Sequence, residues 1–241
     1  MDHHLMIGPA QRLRRAIHRD DALLVQRIIK AHPGLLHNPD VTSTGLSNSN
    51  LHLAASLGHV EVCRVLLSLG HEDPTPALNE KHQTALMLAA AGGHTEVVHL
   101  LCEADPSCIL RRDIRGRDAI MEASLGGYDT ALQLLLTYVP GGPQDAVQSY
   151  DIDGNTALHF ASSKGHLDVL GTLLAAGADP DKRNIWSWTA VAYSATVQTE
   201  VKLKSLIARD TDKRNRLKSD AAESRKGAAV RIVERDVSST D

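Results

Sequence analysis

The sequence predicts an all-α solenoid of about six helix-turn-helix repeats joined by short hairpin connections. Three observations predict it. A pattern of capping residue, small-residue helix, glycine and leucine-rich helix recurs, anchored at Leu13, Leu51, Leu86, Ile120, Leu158 and Val191. Successive anchors lie 33 to 38 residues apart, the interval of a supersecondary unit stacked on copies of itself. The composition is 42% hydrophobic and 23% charged, with two Trp, four Tyr and one Phe. That suits close helix packing through Ala, Leu and Gly better than an aromatic-rich β core. The pattern divides the chain into a disordered N-terminus (1–8), a repeat domain (9–208) and a charged, mostly disordered tail (209–241).

In the first unit, Leu13, Ala16, Ile17, Val25, Ile28 and Ile29 take the apolar offsets, and Asp20 stands where a glycine is expected. Arg12, Arg14, Arg15 and Arg19 then form the polar outer face of an N-terminal cap. A mitochondrial leader reading of these arginines is set aside because Asp2, Asp20 and Asp21 dilute the charge. A polar loop, Asn38–Asn50, leads to the second unit, where Ser49 caps Leu51-His52-Leu53-Ala54-Ala55 and Gly58-His59 follows. The third runs Thr84-Ala85-Leu86 to Gly93-His94, and the fourth uses Asp118 as its cap, with Gly127 after it. Val139–Tyr150, containing Pro140-Gly141-Gly142-Pro143, is too long for a plain connection and is expected to project as an extended finger.

Asp151–Pro180 is the clearest unit. Thr156 fits an N-cap for a helix over 157–164, Gly165 ends it in the left-handed conformation, and a second helix follows over 167–175. Asp153-Gly154 supplies the hairpin turn. The sixth unit, Thr189–Ala195 with Leu203, Leu206 and Ile207, is expected to be a polar C-terminal cap. Burying the four leucines of one unit falls far short of the entropy of ordering its backbone, so each unit requires neighbours.

The run Thr156-Ala157-Leu158-His159-Phe160-Ala161 resembles the signature of the ankyrin-repeat family. That resemblance implies a protein-binding solenoid whose hairpin tips and first helices line a concave face. Candidate contact residues there are His82, Arg115, Arg117, Asp153, Asn155, Trp186 and Trp188. The two tryptophans stand in one connection, Ile185-Trp186-Ser187-Trp188, and strand-like alternation would send them to opposite sides. The exposed one is a natural interface anchor.

Site chemistry is absent from the pattern. There is no phosphate-binding Gly-x-x-x-x-Gly-Lys loop, dinucleotide fingerprint, His-Glu-x-x-His or Gly-x-Ser-x-Gly elbow, so no enzyme, cofactor or metal is expected. Cys63, Cys102 and Cys108 lack redox or zinc spacing and read as buried thiols of a reducing compartment. His52, His59, His94, His159 and His166 fall at repeat positions and read as structural. A net charge of −3 and a pI near 6.5 argue against nucleic acid as the main partner. No apolar run is long enough to span a bilayer and no leader is evident, so an intracellular, cytoplasmic protein is expected. The tail is expected to be disordered for the most part; its short apolar interlude Ala228–Val233 offers a docking alternative, on a partner or back on the last repeat, and Ser238, Ser239 and Thr240 could accept phosphate.

Finer features resemble one branch of the family. They are Arg12–Ile17 with Leu24–Ile29, Pro33-Gly34-Leu35-Leu36-His37-Asn38, Leu69-Gly70-His71-Glu72-Asp73, and Trp188 just before its cap. Over about residues 11–207 the chain is similar to the ankyrin subunits of the fungal target-of-rapamycin complex two. Those carry a long serine- and proline-rich tail, whereas only residues 209–241 follow the repeats here. The resemblance implies a non-catalytic accessory subunit of a target-of-rapamycin kinase complex, cytoplasmic or at the plasma-membrane periphery. The rival expectation is an ankyrin-type chaperone for a ribosomal protein or a proteasome-assembly subunit.

Overall fold

A computed structural model describes residues 8–39, 46–213, 215 and 216. The expectations for residues 1–7 and for Ala228–Val233, Ser238, Ser239 and Thr240 lie outside the described residues.

Helices come in antiparallel pairs: α1 (Pro9–His18) with α2 (Ala22–Ala31), α3 (Asn50–Leu57) with α4 (Val60–Ser68), and α5 (Ala85–Gly92) with α6 (Thr95–Ala104). They continue with α7 (Ala119–Gly126) and α8 (Asp129–Tyr138), the short α9 (Pro143–Ala146), then α10 (Ala157–Lys164) and α11 (Leu167–Ala175). First helices stack in one layer, α3 on α5 on α7 on α10, and second helices in another, α2 on α4 on α6 on α8 on α11. The continuous core lies between the layers, with Leu13, Leu51, Leu86, Ile120 and Leu158 buried. β structure among the described residues is confined to two isolated bridges, Tyr150 with Thr156 and Arg183 with Thr189.

Among the first helices, α3, α5 and α7 start at side-chain caps, while α1 starts at Gly8 without one. Ser49, Thr84 and Asp118 accept from the amides of His52, Met87 and Met121, at 3.4, 3.3 and 2.9 Å. In the second and fifth units a histidine three residues on completes the box. Nδ1 of His52 accepts from the Ser49 amide at 3.3 Å, and Nδ1 of His159 from the Thr156 amide at 3.2 Å. Each imidazole then donates from Nε2 to the next hairpin, to the Gln83 carbonyl at 2.8 Å and the Trp188 carbonyl at 3.0 Å. Both rings are thereby held as the neutral Nε2–H tautomer, joining cap and neighbouring unit.

Two connections depart from expectation. Val139–Tyr150 does not project. It forms α9 and folds back, burying Val139, Ala146 and Val147, while Gln148 donates to the Gly177 carbonyl at 2.7 Å. Three apolar side chains in the segment outweigh its turn-forming prolines and glycines. The sixth unit lacks its first helix: residues 190–193 form a turn, and the chain is helical again over 197–213. No glycine follows this unit's anchor, so the left-handed stop used by the other units is missing. Instead Ala195 N–H donates to the Ser162 carbonyl at 3.1 Å, and Thr196 caps the last helix through the Thr199 amide at 3.1 Å.

Candidate protein-interaction face

The hairpin tips are built alike. An Asn or Asp side chain at the start of each accepts two tip amides through one oxygen. Asn79 accepts from Lys81 and Gln83, both at 2.9 Å, and Asp113 from Arg115 at 2.8 Å and Arg117 at 2.9 Å. Asp151 accepts from Asp153 and Asn155 at 3.0 and 2.8 Å, and Asn184 from Trp186 and Trp188 at 3.1 and 3.0 Å. Such brackets add side-chain hydrogen bonds to the backbone bond that closes each hairpin, from the same Asn or Asp N–H to the carbonyl of Gln83, Arg117, Asn155 or Trp188. One backbone bond joins each tip to the next: Ile114 N–H to Lys81, Ile152 to Arg115 and Ile185 to Asp153, each 3.0 Å. The tips therefore form a ladder running along one edge of the solenoid.

This register sorts the seven predicted contact residues. His82 and Arg115 are exposed at the tips, and Asp153 is half-buried. Arg117 is directed inward, with its guanidinium 3.4 Å from Asp113 and 3.2 Å from Glu122. Burial raises the Glu122 carboxyl pKa, and Arg117 opposes that shift. Asn155 is 4% exposed and accepts from Asn184 Nδ2 at 2.9 Å. Arg117 and Asn155 thus brace the hairpins, because the next unit covers their position. Trp188 shares that position at the last described hairpin, where no further unit covers it, and is 51% exposed.

The tryptophans do not point to opposite sides. Ser187 between them has φ +62°, so the segment turns rather than running as a strand, and the two rings lie 6.4 Å apart. Trp188 also meets Tyr193 at 5.8 Å, and Trp186 is 50% exposed.

Sequence reasoning missed an apolar row. Ile114, Ile152 and Ile185 occupy one register on three consecutive tips and are 56%, 65% and 63% exposed. The available signal was the repeated Asx-Ile pair, Asp113-Ile114, Asp151-Ile152 and Asn184-Ile185. At the middle of these three tips, Tyr150 is flanked by Arg112 of the tip before, 6.0 Å from its ring centroid, and Lys182 of the tip after, at 4.7 Å.

No group of His, Cys, Asp and Glu among the described residues is arranged to hold a metal ion. Cys63, Cys102 and Cys108 are buried and unpaired, and burial pushes each thiol up to about 12. Such thiols are not nucleophiles at neutral pH. Asp118 is raised to about 6 by its burial beneath the hairpin, against the Met121 amide that favours its charged form. No helix among the described residues is long and apolar enough to cross a membrane.

The family profile for ankyrin repeats in three copies matches residues 13–111 and 104–184. The chain belongs to the ankyrin-repeat family. Among solved structures, the ankyrin-repeat protein EF0377 superposes with a TM-score of 0.66 at 20% identity, over 83% of this chain and 97% of that one. Among curated ankyrin relatives, the target of rapamycin complex 2 subunit AVO2 of Saccharomyces cerevisiae is 31% identical over 193 residues, covering 79% of this chain and 43% of that protein. A transient receptor potential cation channel subfamily A member 1 homologue of Caenorhabditis elegans is 34% identical over 131 residues, covering 54% of this chain and 10% of that protein. The chain spans less than half the length of these relatives. An ankyrin array with this ladder of tips is a protein-interaction scaffold.

Proposed function

We propose that this ankyrin array is a non-catalytic accessory subunit of a target-of-rapamycin kinase complex of the second type. The observation that carries the reading is the similarity to AVO2, 31% over 193 residues. It extends along most of the chain rather than over one or two consensus units. On this reading the protein works in the cytoplasm or at the plasma-membrane periphery. Its contact face takes His82, Arg115, Asp153, Trp186 and Trp188, with Arg117 and Asn155 holding the tips in place.

The test is affinity purification of the tagged full chain from native lysate, followed by mass spectrometry. Recovery of a target-of-rapamycin kinase with its companion subunits is the expected result. Recovery of ribosomal or proteasomal proteins without the kinase overturns the assignment in favour of a chaperone.

A further inference from the structure

The first unit presents positions to solvent that the other units bury. The place of Arg12 is taken by Asn50, Ala85, Ala119, Ala157 and Ala190 in the units that follow, each at most 2% exposed. The place of Leu24 is taken by Val62, Val97, Ala131 and Val169, all buried. The cover comes in part from the unit before. Asn50 Nδ2 donates to the Leu35 and Leu36 carbonyls at 2.7 and 2.9 Å, and Thr172, in the register of Arg27, donates to Asp129 at 2.6 Å. No described unit lies before the first, and there Arg12 and Arg27 are exposed and Leu24 is half-buried.

Two grooves mark this end. One, of about 300 Å³, runs between α1 and α2 past Arg12, Leu24, Arg27 and Ile28. The other, of about 520 Å³, lies against Ala10, Pro33, Gly34 and Leu35. Pro9, Ala31 and His32 are walls of both. Solenoid ends require a polar outer face. Arg12 and Arg27 supply part of one, but the surface between them and Leu35 is left apolar.

The chain carries a cover of the right kind at the right place. Residues 1–7 lie outside the described residues and read Met-Asp-His-His-Leu-Met-Ile. The apolar run Leu5-Met6-Ile7 joins through Gly8 to Pro9, which lines both grooves. Leu5 is three residues from Gly8 and therefore stays within about 11 Å of it. A segment on so short a tether meets its site at an effective concentration of about millimolar, which a separate molecule at micromolar concentration does not match. A second copy is disfavoured on charge as well. A two-fold contact through this end would gather Arg12 and Arg27 of both copies, and no acid lines either groove.

We infer that Leu5, Met6 and Ile7 lie back in these grooves as a strap, closing the end of the array that a preceding unit would otherwise cover. The strap stands in place of the disorder expected for this terminus. It is independent of the kinase-complex assignment, and failure of either leaves the other standing.

The test uses cysteine chemistry on the full chain. Cys63, Cys102 and Cys108 are buried, with thiols pushed up to about 12, and stay out of the reaction. Leu5→Cys paired with Ala31→Cys should oxidise to an intramolecular disulfide at least tenfold faster than Leu5→Cys paired with Glu103→Cys, which lies two units away on α6. The rate should not depend on protein concentration. Equal rates for the two pairs, or a concentration-dependent disulfide between molecules, would overturn the strap, the latter in favour of a second copy. A second measurement labels Ala31→Cys alone with a bulky maleimide. Replacing Leu5, Met6 and Ile7 together by Ser should speed that labelling at least tenfold and lower the melting temperature by about 2–4 °C. Labelling at the same rate with and without the apolar run would equally refute it.

Discussion

The imidazole of His94 lies directly over Gly58, so that a Cβ at position 58 would stand 2.5 Å from Nδ1. The ring is held there by its Nε2–H, which donates to the Ser56 carbonyl at 3.0 Å. Tyr128 over Gly93 and His166 over Gly127 repeat the arrangement one and two units on. The glycine that ends a first helix is therefore also the seat for the residue that caps the second helix of the next unit.

Gly58→Ala meets both demands at once. The residue has φ +77°, which costs an L-residue about 1–2 kcal/mol, and the imidazole must leave its carbonyl at a further cost of about 1 kcal/mol. A loss of about 2–3 kcal/mol in urea unfolding is expected. Gly171 lies inside α11 with nothing near its missing Cβ. Gly171→Ala should accordingly stabilise by about 0.5–1 kcal/mol through helix propensity. Equal effects of the two substitutions would refute the seat.

Stability should respond to acid through opposing groups. His37, His52 and His159 have pKa values lowered chiefly by burial. Their contribution is fully present above the unfolded value near 6.5 and is lost as pH falls through their folded values. Asp118, raised to about 6, acts in the opposite sense: its carboxylate is penalised at pH 7.5 and relieved as pH falls through 6. Asp118→Asn removes the relief and should enlarge the stability lost between pH 7.5 and 5.5, by about 1 kcal/mol. His52→Gln should diminish that loss. Urea midpoints at the two pH values read both effects, and parallel shifts in all three proteins would dismiss the account.

The parts legible in sequence are those governed by local physics. Gly165 ends its helix as read, because a left-handed stop acts within one turn of chain, and Thr156 stands at the N-cap position with its amide closed by the His159 ring. The His52 and His159 bridges were legible too, since they recur in one register. Tertiary packing decided the rest. Val147 reads as one apolar residue in a turn-rich loop, yet its burial pulls Val139–Tyr150 against the core. Asn155 and Trp188 share a register position, and only the presence or absence of a following unit separates a buried brace from an exposed ring. The isoleucine row escaped notice because each member looks like an ordinary surface residue until the ladder aligns them.

The three thiols should be inert while the protein is folded. Each is buried with its pKa near 12, and Cys108 donates from Sγ to Asp105 at 3.2 Å. A thiol reagent at pH 8 should modify none of them in buffer and all three in denaturing urea. Rapid labelling of any one in the folded protein would reveal a local opening that the packing does not provide.

Asn184 makes three side-chain hydrogen bonds in the last hairpin. Its Oδ1 accepts from the Trp186 and Trp188 amides, and its Nδ2 donates to Asn155 in a buried setting. Asn184→Ala leaves two amides and the Asn155 carbonyl oxygen without partners, so a loss of about 2–3 kcal/mol is expected. Asn184→Asp keeps the acceptor, as Asp113 and Asp151 do in their hairpins, and loses only the donor to Asn155. Its cost should be about half as large. The indoles report the difference: acrylamide should quench Trp186 and Trp188 more readily in the Ala variant, whose tip has lost its bracket, than in the Asp variant. Identical quenching and identical melting temperatures in the two variants would show that the aromatic tip is held by ring packing and not by the asparagine.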